Sequence, residues 1–172
     1  VNYYANWANY DNLVSYNPTT RKVEPNLAES WKIIDDNTWE FKLRKDVAFH
    51  NGNPFNAHVV KFNLERVWNP EQKSRLRGAF RPVKKIEIVD DYTVRLTTAK
   101  PYPVLLRRFT NFLMVDPVYL KEAGDKGLAK KPMGTGPYRF VKWVKGQSLT
   151  LEANKDYWGA PPEVKTIVFR PI

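Results

Sequence analysis

The chain holds two histidines, His50 and His58, four serines and no cysteine. The histidines flank a Gly/Pro turn with no further ligand at zinc spacing, so they read as a polar loop residue and a helix-start residue. Ser15, Ser30, Ser74 and Ser148 lie in no nucleophile elbow. Two acidic pairs, Asp35/Asp36 and Asp90/Asp91, would suit acid/base chemistry or a hard cation if a spaced third carboxylate accompanied them. None does, and consecutive residues on a turn rarely converge on one atom, so turn formers are the better reading. Gly134, Thr135 and Gly136 in "MGTGPYRFVKW" (Met133 to Trp143) lack the third glycine and following helix of a dinucleotide fingerprint and the Gly-Lys-Ser/Thr of a phosphate loop. The expectation is a turn whose glycines take positive φ and let the backbone pass close to a neighbour or a ligand. No catalytic constellation, metal site or cofactor follows from these residues.

The elements that must position these groups are legible from periodicity. "WKIIDDNTWEFKL" (Trp31 to Leu43) and "IEIVDDYTVRLTT" (Ile86 to Thr98) alternate apolar and polar residues on both sides of Asp-Asp, which predicts two hairpins with the acidic pairs at their tips. Between them, Asn56 stands as N-cap before Val60, Leu64, Val67 and Trp68 at helical spacing, and Pro70 stops the pattern: an amphipathic helix of about three turns. "EQKSRLRGAF" reads as a short helix or loop. "VLLRRF" and "VYLKEAG" read as helices, the latter closing on Gly124, and Asp125 to Pro132 as an exposed loop. "YRFVKWV" and "SLTLEAN" form a third hairpin, and Lys165 to Phe169 a last strand. Hairpins interleaved with helices, without regular βαβ alternation, give a mixed α/β (α+β) class.

The net charge is +10, but the basic residues are scattered. The densest stretch holds Lys73, Arg75, Arg77, Arg81, Lys84 and Lys85, and a solvated basic face is favoured over a polyanion site. A nucleic-acid-binding domain rests on charge alone. "NYYANWANYDN" sets aromatic rings among amides, which suits either the wall of an amphipathic ligand site or docking onto the core.

Taken in order, "LAESW", "FKLRKDVAFHNGNPFNA", "GTGPY" and "NKDYWG" resemble the extracytoplasmic solute-binding proteins of family 5, the oligopeptide, dipeptide and nickel receptors of ABC importers. The resemblance runs across essentially the whole chain. It implies a type II periplasmic-binding-protein fold, with residues 1–172 forming most of the first lobe, including the family's extra small subdomain, and a second lobe absent. It also implies a non-enzymatic receptor without cofactor that takes a small ligand, a short peptide, and delivers it to permease subunits. The location implied is the periplasm, or a lipoprotein anchored outside a Gram-positive cell, with contact to the membrane only through the permease and none with nucleic acid. A ligand-sensing domain of a transcriptional regulator is the alternative use of the fold. Carried over by position, the ligand contacts are Tyr3, Tyr4, Asn6 and Trp7; Arg75 and Arg77; Thr110, Asn111 and Phe112; and the lobe-edge turn Gly134, Thr135 and Gly136. Nickel receptors tend to carry arginine where Thr110 stands, which points away from a nickel cargo.

Overall fold

A computed structural model describes residues 3–170, in two units assembled from interleaved chain segments. One unit comprises Asn12–Lys45 and Asn56–Met114. Its centre is a four-stranded antiparallel sheet in the order β3-β4-β6-β5, with β3 at Ala28–Asp35, β4 at Thr38–Leu43, β5 at Val83–Asp90 and β6 at Thr93–Thr98. The two look-alike segments are the two hairpins, and they join through their second strands, with Trp39 opposite Leu96 and Phe41 opposite Val94. Each has a register shift just before its tip, at Ile33/Asp35 and at Ile88/Asp90. The first strands are therefore the sheet edges, and Ile33 and Val89 stay exposed there while Phe41, Val94 and Leu96 are buried.

The tips confirm the turn reading of the acidic pairs. Asp35 Oδ1 accepts from the Asn37 N–H at 2.9 Å, and Asp90 accepts from the Tyr92 N–H and the Thr93 hydroxyl at 2.9 and 2.8 Å. These bonds hold both carboxyls below their usual range, led by the Asn37 N–H for Asp35 and by Thr93 for Asp90. On the face opposite Trp39 and Phe41, buried Glu40 meets Arg95 at 2.7 Å and Lys32 at 3.0 Å, one from each neighbouring strand. Arg95, then Lys32, lowers its pKa.

Helix α2 (Ala57–Trp68) packs on β5 and β6. Asn56 caps it by accepting from the His58 and Val59 N–H groups, and Ala57, Val59, Val60, Leu64 and Val67 form its buried face. The ambiguous basic stretch resolves into a 3₁₀ turn at Pro70–Gln72 and a single turn, α3 (Arg77–Phe80). With α4 (Leu105–Arg108) and a 3₁₀ turn at Phe109–Asn111, these elements enclose a ring cluster. Phe109 lies 5.4 Å from Phe41, 5.0 Å from Phe80 and 5.8 Å from Phe112, in tilted or edge-on contacts. A hairpin that periodicity does not announce, β1 (Val14–Asn17) with β2 (Lys22–Pro25), completes this unit. Asn17 makes its turn by accepting from the Thr19 and Thr20 N–H groups.

The other unit comprises the chain up to Asp11, Asp46–Phe55 and the chain from Val115 onward. Its sheet runs β7-β8-β9, with β7 at Tyr138–Val144, β8 at Ser148–Ala153 and β9 at Thr166–Phe169, as the third hairpin and last strand require. Leu149 and Leu151 are its buried centre, packed by Ala8, Tyr138, Phe140, Ile167 and Phe169. One segment left open by the sequence takes shape here, and one expectation is corrected. The amino-terminal aromatic segment is a helix, α1 (Tyr3–Asn9), against β7. The stretch after Gly124 is not a loop but the second half of α5 (Pro117–Lys130), which resumes after a break at Gly124 with φ 66° and ψ 176°. Its Gly and Lys content suggested a loop, yet Ala, Leu and Lys are good helix formers, and the Lys131 N–H reaches the Gly127 carbonyl at 2.9 Å. Among the described residues no helix is long and apolar enough to cross a membrane.

Candidate functional site

Three of the four motifs that carry the family resemblance supply partners to two buried carboxylates in the unit containing α1, α5 and β7–β9. Asp11, directly after α1, is 7% exposed. Its Oδ2 accepts from the Thr135 hydroxyl and the Trp158 indole N–H, both at 3.0 Å, and its Oδ1 from the Tyr157 hydroxyl at 3.4 Å. Thus "GTGPY" and "NKDYWG" are tied to one carboxylate. Asp116, 1% exposed, accepts at Oδ2 from the Asn51 and Asn53 amides at 2.7 and 2.8 Å, while its Oδ1 caps α5 at the Val118 N–H. That arrangement fixes the turn of "FHNGNPFNA". A buried carboxylate accepting several donors is stable as a charge and costs little only while every donor stays in place.

The glycine turn lies inside the same network. Gly134, Thr135 and Gly136 are all buried, and the Gly136 N–H donates to the Asn9 carbonyl at 2.9 Å. Neither glycine has a positive φ, contrary to one half of the expectation; what requires them is close approach. A Cβ on Gly134 would lie 2.0 Å from the Asn9 carbonyl oxygen, and one on Gly136 would lie 2.6 Å from the Asn9 carbonyl carbon. The neighbour that approaches is the protein's own α1 end.

His50 joins this network through Nε2–H, which donates to the Gly136 carbonyl at 2.8 Å, while its buried Nδ1 meets no partner among the described residues. Burial, assisted by the positive charge of Arg139 and opposed by the Gly136 hydrogen bond, pushes its pKa down to about 4. Because the folded value lies below the ordinary 6.5, the folded state binds fewer protons than the unfolded chain between those values. The stabilisation is complete above pH 6.5 and is lost as the pH falls toward 4. Urea melts at pH 7 and pH 4.5 should differ by about 2–3 kcal/mol from this group, and His50→Gln should flatten that slope. A wild-type midpoint that does not move across this window would refute the assignment.

The other expected contacts fall as follows. Asn6 and Trp7 are half-buried on α1, and the side chains of Tyr3 and Tyr4 lie outside the described residues. Arg75, Arg77 and Asn111 are exposed in the unit of the four-stranded sheet. Thr110 and Phe112 are buried there: the Thr110 hydroxyl donates to the Arg107 carbonyl at 2.9 Å, its own carbonyl accepts from the Asn12 amide, and the Phe112 ring lies tilted with its centroid 4.7 Å from that of Phe80. The structure therefore brings Arg77, Thr110 and Phe112 into one unit and Asn6, Trp7 and Gly134–Gly136 into the other.

Several residues with no local signal also matter. Arg107 lies over the Tyr16 ring with its guanidinium carbon 3.7 Å from the centroid, a contact between a hairpin and a helix distant in sequence. Trp68 closes α2 and donates to the Phe80 carbonyl at 3.0 Å, setting its indole beside Arg77, Arg81 and Lys84. Among the described residues no group of three or more His, Asp or Glu side chains is gathered where it could hold a metal ion.

Comparison with known proteins accounts for this pattern of motifs. The family model described as "Bacterial extracellular solute-binding proteins, family 5 Middle" matches residues 22–172. The glutathione-binding protein GsiB of Pectobacterium atrosepticum is 37% identical over 150 residues, which are 85% of this chain and 29% of GsiB. Among solved structures, NikZ from Campylobacter jejuni in complex with Ni(L-His) superposes with a TM-score of 0.89 at 30% identity, covering 96% of this chain and 34% of NikZ. The periplasmic binding protein DppA from Helicobacter pylori in complex with the peptide STSA gives 0.83 at 33% identity, covering 96% of this chain and 37% of DppA. The chain thus spans about a third of the length of these relatives. Its mixed α/β fold is that of type II periplasmic binding proteins, and the chain belongs to the bacterial extracellular solute-binding proteins of family 5.

Proposed function

We propose that this chain is most of the first lobe of a two-lobed receptor that captures a short peptide outside the cytoplasm and passes it to the membrane subunits of an ABC importer. No chemistry is performed on the ligand. The observation that carries the reading is the family match over residues 22–172 combined with coverage of about a third of each relative. The peptide class is supported by what two relatives bind: glutathione, itself a modified tripeptide, for GsiB and the peptide STSA for DppA. The periplasm is the location proposed, as for DppA, with membrane anchoring outside the cell as the equivalent in a Gram-positive source.

The twelve expected contact positions divide into two roles. Arg75, Arg77 and Asn111, exposed, and the half-buried Asn6 and Trp7 touch ligand, joined by Tyr3 and Tyr4. The guanidinium groups pair with a ligand carboxylate and the aromatic residues supply apolar walls. Thr110, Phe112, Gly134, Thr135 and Gly136, whose polar groups and surfaces are engaged inside the fold, set the backbone on which those contacts stand.

In the full-length protein, Arg75→Ala and Arg77→Ala should each weaken peptides with a free carboxyl terminus by about 10- to 100-fold, the worth of a charge-assisted pair. Amidated versions of the same peptides should change far less. Calorimetry on matched acid and amide peptides measures this, and equal affinities in wild type and variants across the panel would remove the arginines from the site.

A further inference from the structure

We infer that Trp68, Arg77, Arg81 and Lys84 form an oxyanion site for a phosphate group carried on an apolar body. These residues, with Gly78 and Val83, line an open hollow of about 600 Å³ between the end of α2, the α3 turn and the start of β5. Arg77, Arg81 and Lys84 contribute two guanidinium-bearing side chains and one ammonium-bearing side chain to its lining from separate backbone positions. No carboxylate compensates them: among the described residues none of the three forms an ion pair, the neighbouring Lys85 is taken by Glu87 at 2.9 Å, and Lys61 by Glu65 at 3.8 Å. Three cations left facing one concavity repel each other, and an anion with several oxygens relieves that repulsion. A single carboxylate needs one guanidinium fork; a tetrahedral, doubly charged phosphate can use two forks and a point charge together.

The other half of the wall is apolar. The indole of Trp68, pinned by its hydrogen bond to the Phe80 carbonyl, and the buried Val83 offer hydrocarbon surface beside the cations. This combination suits a phosphate ester better than a bare ion. It has two sources outside the cytoplasm: the headgroup of an anionic lipid, or a free phosphorylated small molecule. The inference goes beyond the peptide reading, since Arg77 is common to both while Trp68, Arg81 and Lys84 have no part in peptide capture.

The test compares the full-length protein with Arg81→Glu/Lys84→Glu and with a control of equal charge change on β7 and its turn, Lys142→Glu/Lys145→Glu. Inorganic phosphate is titrated while the Trp68 indole N–H resonance is followed, assigned through Trp68→Phe. Co-sedimentation is measured with phosphatidylglycerol-containing vesicles and with pure phosphatidylcholine vesicles. Phosphate binding that weakens by at least about tenfold in the first variant, and by less than about threefold in the control, supports the site with free phosphate sufficient. Selective binding to the anionic vesicles with the same pattern of variants supports it with a lipid source. Binding to neither probe, or equal loss in both variants, overturns it. Peptide affinity, measured on the same proteins, reports separately on the ligand-capture reading.

Discussion

Replacing Gly134 by alanine should lower the stability of the chain by at least ~3 kcal/mol, as a backbone overlap that no side-chain rotation relieves. The added methyl would sit 2.0 Å from the Asn9 carbonyl oxygen and 2.8 Å from the Tyr10 ring. Real Cβ atoms do not approach so closely, so α1 or the glycine turn must move. Movement of either disturbs the Gly136 N–H bond to Asn9, the Met133 N–H bond to the Tyr10 hydroxyl and the His50 bond to Gly136. Gly78→Ala is the control, since a Cβ there meets nothing within 4 Å and the backbone φ is ordinary. Urea denaturation of the two variants measures the effect; a Gly134→Ala midpoint matching that of Gly78→Ala would show that the turn yields without cost.

Asp11→Ala should cost about 4 kcal/mol, because it strands several donors at once. The Thr135 hydroxyl, the Trp158 indole N–H and the Tyr157 hydroxyl all point at this carboxylate, and Thr135 is 0% exposed. Water admitted to the space would recover part of the loss, so the shape of the effect matters as well as its size. Asp11→Asn keeps one acceptor oxygen and should fall between wild type and alanine, whereas a general packing defect would leave Asn close to wild type. Denaturation followed through tryptophan emission measures both. A loss below about 1 kcal/mol for the alanine variant would mean that the three donors find other partners.

Legibility in the sequence followed the range of the forces involved. The two central hairpins could be read because period-two alternation and aspartate turns are local, and the register bears this out at Trp39, Phe41, Val94 and Leu96. Helix α2 announced itself through Asn56 and its apolar stripe. Helix α1 and the second half of α5 did not, since aromatic, Asn and Gly residues give weak local preferences that tertiary packing decides. The Asp11 node was invisible for a different reason: its partners lie 124 and 147 residues away, and a lone aspartate carries no sign of them. The glycine turn shows the same limit. Sequence could say that the backbone passes close to something there, and only the structure shows that the something is Asn9. Of the expected ligand contacts, the resemblance supplied positions but not roles. The buried ring of Phe112 and the exposed guanidinium of Arg77 look equally eligible in a linear chain.

The interleaving of the two units sets an order on their assembly. A chain emerging amino terminus first presents both segments of the four-stranded unit once Met114 is out, so its paired hairpins and ring cluster can close with nothing further. The other unit must wait, because two of the donors to Asp11, the Tyr157 hydroxyl and the Trp158 indole N–H, are among the last residues to appear. Closing so long a loop is slow in entropic terms and is rewarded only at the end. During that interval α1 and Asp46–Phe55 are held without their sheet, which makes them the segments most open to a chaperone, a protease or a translocation machine that needs an unfolded strand to pull.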